Sequence, residues 1–131
     1  MIKTKSIYEP KKTQDGLRVL ITRFYPRGIK KTNFDMWEKE LAPSQQLLKE
    51  LKSNKKTWSQ FIVSFKSELE KNKESLQSIK KLRREMKTNN VTLLCFEKDG
   101  NPCHRHLLKK IIQNPKYLNM NFQTNFTDNH A

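Results

Sequence analysis

A small layered α/β fold, with a mainly parallel sheet flanked by helices, follows from three features of the sequence. Two short runs, residues 18–24 (RVLITRF) and 91–96 (VTLLCF), carry apolar residues on both alternating faces, the pattern of strands covered on both sides. Segments of helical period separate them, and another follows the second run. Strand, helices, strand, helix is an order that brings strands together by crossovers and so favours parallel pairing.

Residues 5–8 are expected to form a short strand that ends at Pro10, and residues 11–16 a polar loop closing in an Asp15-Gly16 turn. The strand at 18–24 stops at Tyr25-Pro26-Arg27-Gly28, where proline removes a ladder donor and glycine permits positive φ. Asn33 is expected to cap a helix over 34–41, halted by Pro43. Ser44 caps 45–52, with Leu47, Leu48 and Leu51 on one side. Thr57 and Gln60 form a capping box, and Trp58, Phe61, Ile62, Phe65 and Leu69 follow at helical spacing. A fourth helix carries Leu76, Ile79, Leu82 and Met86. Such stripes read as core rather than as a ligand cage. Lys80, Lys81, Arg83 and Arg84 lie off the stripe and read as a solvated face or a nucleic-acid contact. After the strand at 91–96 and a turn at Asp99-Gly100, a helix is expected to open with Asn101 as N-cap and Pro102 at its first position. It buries Leu107, Leu108, Ile111 and Ile112. Residues 1–131 make one domain, in which 117–131 form a loosely attached, Asn-rich tail with Phe122 and Phe126 as its docking residues.

The chain has 27 basic and 13 acidic residues, a net charge of +14, and 34% apolar residues. That surface attracts phosphates or nucleic acid non-specifically. However, 21 of the basic residues are Lys and only 6 Arg, as AT-rich codon usage alone would produce. The arginine positions therefore carry more information than the total. The segment MIKTKSIYEPKK has no apolar stretch of a secretory signal, and no apolar run approaches the length of a membrane span. Two cysteines eight residues apart make neither a CxxC pair nor a disulfide framework, so a cytoplasmic location is the default. Cys95, Cys103, His104 and His106 lack the spacing of a zinc site, and no cofactor motif is present.

In open parallel sheets ligands sit beyond the carboxyl ends of the strands. One segment delivers Arg23, Tyr25 and Arg27 there; the other delivers Cys95, Glu97 and the turn Cys103-His104-Arg105. If the two strands are neighbours, three guanidinium groups and a helix N-terminus meet at one anion site, with Tyr25 packing on the ligand. Arg23 has a second reading, a structural salt bridge to Asp15, Glu9 or Glu97. Cys103, in a first helical turn beside Arg105, is expected to have a lowered thiol pKa, which makes it and His104 the candidates for nucleophilic catalysis. Against this, neighbours on a helix point about 100° apart, which places His104 badly to deprotonate Cys103. Cys95 reads as a small buried residue. The interval from Cys95 to Arg105 is too long, and that from Cys103 to Arg105 too short, for a phosphatase-type loop. No glycine-rich phosphate loop, HExxH, GxSxG or paired-carboxylate motif occurs.

The stretches IYEPKKTQDGLRVLITRFYPRGIKK, WEKELAPSQQLLKEL and WSQFIVSFKSELE resemble the Domain of Unknown Function 488 family. Its members carry a DGxRVLVDRxWPRG-like segment, a W..ELAPS segment and a later strand beginning VTLL. CFEKDGNPCHRHLL is similar to the C.E....CHR segment of part of that family. The resemblance covers roughly residues 7–112, with Thr22 where many members have Asp and Tyr25 where they have Trp. It implies a compact cytosolic α/β protein of bacterial or archaeal type. The shared polar positions fall on Asp15, Arg18, Arg23, Arg27, Ser44, Cys103, His104 and Arg105. The resulting expectation is a protein that binds an anionic small molecule or nucleotide through Arg23, Tyr25, Arg27 and Arg105, supported by Asp15, Arg18 and Glu97. A nucleic-acid-binding surface and a thiol enzyme using Cys103 are the alternatives.

Overall fold

The two apolar runs lie side by side, and a parallel sheet is built around them. A computed structural model describes residues 1–96 and 103–119. Its strands are β1 (Ile2–Ser6), β2 (Leu17–Leu20), β3 (Met36–Trp37) and β4 (Val91–Cys95), ordered β1-β4-β2-β3 and parallel throughout. The helices are α1 (Gln45–Lys52), α2 (Trp58–Lys71), α3 (Lys73–Glu85) and α4 (His104–Gln113). One large core joins Val19, Ile21, Val91 and Leu93 to Leu47, Phe65, Leu82 and Leu108, so one face of the sheet takes residues from all four helices. A smaller core of Ile7, Leu20 and Leu94 lies under Ile29, Phe34 and Trp37 on the other face. Among the described residues, no helix is long and apolar enough to cross a membrane.

The caps form where the side chains required. Ser44 Oγ accepts from Leu47 N at 3.1 Å, and Thr57 Oγ1 accepts from Gln60 N at 3.2 Å while Gln60 Oε1 accepts from Thr57 N at 2.9 Å. Asn72 Oδ1 caps α3 in the same way. Two of the basic residues on α3 have structural partners: Arg83 donates to the last carbonyls of α4, and Lys81 pairs with Glu38 at 3.6 Å.

Four expectations need correction. Residues 34–41 do not form an α-helix: Met36–Trp37 is a strand, and Lys39–Leu41 makes a single 3-10 turn. Asp35 N donates to the Arg18 carbonyl and Glu38 N to that of Leu20, both at 2.8 Å, so the segment adds β3 to the edge of the sheet. Pairing and the burial of Phe34 and Trp37 override the local helical signal. The strand expected at 18–24 covers only Leu17–Leu20; Ile21 N still reaches the Leu94 carbonyl, but Thr22 Oγ1 then bonds to the Phe24 carbonyl and turns the chain away. The first strand begins at Ile2, earlier than expected, because Lys3 and Lys5 sit within it and extend their amines to Gln14 and Asp15. The helix expected to open at Asn101-Pro102 starts at His104, with extended Cys103 as its N-cap. Residues 101 and 102 and positions 120–131 of the expected tail at 117–131 lie outside the described residues. Leu118, near the start of that tail, is buried in the large core.

The loop-covered face holds a charged cluster. Asp15 is buried, pairs with Lys5 at 2.9 Å and with Arg18, and accepts from Lys12 N at 2.9 Å. Burial alone would raise its carboxyl pKa, but these donors outweigh burial and hold it below its ordinary value of 3.8. A carboxyl depressed in the folded state adds stability that is complete above that value and is lost as pH falls through the depressed one. Asp15→Asn should therefore lower the unfolding free energy by about 3–5 kcal/mol at neutral pH, since Arg18 would be left buried without its counter-charge. In urea titrations the gap from wild type should close as pH drops below about 4. A gap of constant size across that range would contradict the assignment.

Candidate functional site

Parallel pairing of β2 with β4 sets the chain after Ile21 beside the chain after Cys95, and a pocket opens at that edge. Its volume is about 340 Å³, within the range of small-molecule sites. Cys95, Cys103 and His104 line it together with Thr22 and Arg23. Trp58 and Phe61, stacked with centroids 5.0 Å apart, give it an aromatic wall, and Lys49 and Lys52 of α1 add positive charge.

Among the described residues Arg23 is held by backbone carbonyls. Its Nε donates to the Pro43 carbonyl at 3.1 Å and its Nη2 to the Ala42 carbonyl at 2.9 Å, so neither Asp15 nor Glu9 is its partner. The adjoining Ser44 is fixed by Glu68, which accepts from its backbone N at 3.0 Å and from its hydroxyl. Arg27 and Tyr25 do not line the pocket. Tyr25 packs edge-on against Phe34 and Trp37 and donates its hydroxyl hydrogen to the Ile29 carbonyl, which turns the segment toward the loop-covered face. Arg27 is exposed, and its carbonyl accepts from Tyr8. Asp15 and Arg18 belong to the charged cluster on that same face, and Glu97 lies outside the described residues.

Arg105 is fully buried, and its Nη1 donates to Cys95 Sγ at 2.6 Å. It stands behind the sulphur rather than in the pocket lining. Burial works against its charge, but the two cysteine sulphurs, Cys95 first, raise its pKa above the ordinary arginine value. Cys103 is the N-cap of α4, with extended backbone at φ −156°, so the angular rule for residues within a helix does not apply to its side chain. Its Sγ comes within 3.6 Å of His104 Nδ1, contrary to the expected misplacement. Its thiol pKa is raised, not lowered: it hydrogen-bonds to Cys95 and is buried, and these effects exceed the help from Arg105. Among the described residues no group of His, Cys, Asp and Glu converges to hold a metal.

His104 Nε2 lies 2.7 Å from the Ile21 carbonyl. A carbonyl only accepts, so the proton is on Nε2 and Nδ1 faces Cys103 as an acceptor. Burial pushes the ring down to about 4, and the Ile21 bond only partly offsets this.

A family profile described as "Active DUF488-N3 subclade" matches residues 2–116. The chain belongs to the DUF488-N3a family. This DUF488-N3a chain is 34% identical over 109 residues to the uncharacterized protein YeaO of Escherichia coli, covering 82% of this chain and 92% of that one. It is also 30% identical over 70 residues to the uncharacterized proteins Rv3073c of Mycobacterium tuberculosis and Mb3100c of Mycobacterium bovis, covering 52% of this chain and 59% of each of them. No solved structure matches it.

Sequence reasoning brought Cys95 to this edge but read it only as a small buried residue, and it missed Lys49 and Lys52 as part of the pocket. A cysteine inside an apolar strand signals packing, and lysines on an amphipathic helix signal solvent. Neither pattern shows what stands opposite in the fold.

Because the His104 ring is lowered in the folded state, its contribution is complete above about pH 6.5 and is lost as pH falls toward 4. Wild type should lose about 2–3 kcal/mol more than His104→Gln between those values in urea titrations. Parallel pH profiles for the two proteins would count against a buried neutral imidazole.

Proposed function

We propose that the pocket at the carboxyl edge binds a small anionic molecule with an apolar or aromatic part, phosphate-bearing compounds included. The observation that carries this reading is the composition of the walls. Arg23, Lys49 and Lys52 bring three cations to a space otherwise bounded by Trp58, Phe61 and Leu48, and no acidic side chain lines it among the described residues. Arg23 is pre-organised by two backbone carbonyls, which lowers the ordering cost of gripping an anion. The neutral His104 and the start of α4 add polar groups without negative charge.

Phenyl phosphate, observed by nitrogen–proton NMR, tests the reading. Addition should move the Trp58 indole resonance and the amides of Lys49 and Lys52, while phenol should act far more weakly. Arg23→Ala and Lys49→Glu should each weaken binding by roughly tenfold or more. Identical responses to phenyl phosphate and phenol would refute anion selection.

The net charge of +14 supports a second reading, a nucleic-acid-binding surface. On that reading, affinity for mixed-sequence duplex DNA falls steeply between two salt concentrations and the resonances that move are those of α3 lysines. Salt-independent binding would eliminate it.

A further inference from the structure

The pocket holds two thiols of opposite character, and their surroundings decide which one reacts. Cys95 ends β4 and is only 1% exposed, yet it forms part of the pocket lining. Arg105 reaches it from the next helix with a guanidinium that is 0% exposed, and donates to its sulphur. Cys103 lines the same pocket, and its interaction with Cys95 is the first cause that raises the Cys103 pKa. A sulphur that accepts from a buried guanidinium is better suited to negative charge than to carrying a proton of its own. Cys103, by contrast, is buried with the neutral His104 Nδ1 at 3.6 Å as an acceptor, and its neighbour Cys95 and its burial both favour the protonated form.

We propose that Cys95 is the nucleophilic thiolate of this pocket, held in that form by the buried Arg105 guanidinium. Its substrate class is a small anionic molecule bearing a soft electrophilic carbon. The Cys95 sulphur lone pair forms the new S–C bond, the bond from that carbon to its leaving group breaks, and the group departs with the electron pair. Arg105 is a positioning residue that acts through Cys95, and Cys103 is its neutral companion. The assignment reverses the expectation that Cys103 is the reactive thiol. It draws on the anion-pocket reading for its substrate class alone.

Alkylation of the reduced full-length protein by iodoacetamide, mapped by mass spectrometry, tests it. In that reaction the S–C bond forms as iodide leaves with its electron pair. The first adduct should be on Cys95, at a rate that holds between about pH 8 and pH 6, where an ordinary thiol loses most of its thiolate, roughly a hundredfold. The ultraviolet absorbance of the thiolate at neutral pH should persist in Cys103→Ser and vanish in Cys95→Ser. Arg105→Met, if circular dichroism shows it folded, should label at least tenfold more slowly at the lower pH. If it does not fold, the wild-type pH profile and the two cysteine variants decide. Adducts that form first on Cys103, or a pH profile like that of a free thiol, would overturn the assignment. Phenyl phosphate plays no part in this measurement. A protein that ignores phenyl phosphate but labels at Cys95 refutes the binding reading alone, and one that binds it but labels first at Cys103 refutes this assignment alone.

Discussion

Everything at the carboxyl edge depends on the ladder between β2 and β4. Leu20 stands opposite Leu94, and the Ile21 amide extends the ladder to the Leu94 carbonyl at 3.0 Å. The Ile21 carbonyl is then directed at the His104 ring, which ties the start of α4 to the end of a strand eighty-three positions earlier. That tie brings Cys103 near Cys95 and sets Arg23 on the same rim. Without the β2–β4 pairing, the two thiols and the pre-organised arginine have no reason to share a pocket.

Two arginines, Arg18 and Arg105, are buried, and the sheet separates their roles. Arg18, on the face covered by loops, is answered by the Asp15 carboxylate and the Asn33 carbonyl. Arg105, at the start of α4, is directed at a cysteine sulphur. A carboxylate is charged at any ordinary pH and makes a permanent structural partner. A thiol is charged only if its surroundings favour it, so the same side chain that stabilises one site tunes the chemistry of the other.

Local signals were the legible ones. The caps at Ser44 and at Thr57 with Gln60 are decided within three residues, and α1 and α2 start where those residues stand. The apolar stripes of α2, α3 and α4 likewise locate the large core. The edge strand β3 was not legible, because its identity depends on backbone bonds to Arg18 and Leu20 rather than on its own spacing. The role of Cys95 was hidden for a related reason. Read along its strand it is one apolar position among several, and it acquires chemical character only when Arg105 is folded against it. Convergence of Arg23, Arg27 and Arg105 was read from their positions in the chain, whereas the packing of Tyr25 on Trp37 carries that segment toward the opposite face.

Gly16, at the far end of β2, has a bearing on all of this. Its φ is +65°, and a Cβ built there would lie 2.2 Å from the Asn90 carbonyl, just where β4 begins. At about 3.3 Å per residue, the rim is more than 10 Å away from that point. Any side chain at this position would wedge the two central strands apart from below, and the Ile21–His104 tie would feel the splay. A reactive centre assembled across a strand boundary inherits the tolerances of the whole boundary, so damage at one end of the seam would register as misaligned sulphur chemistry at the other.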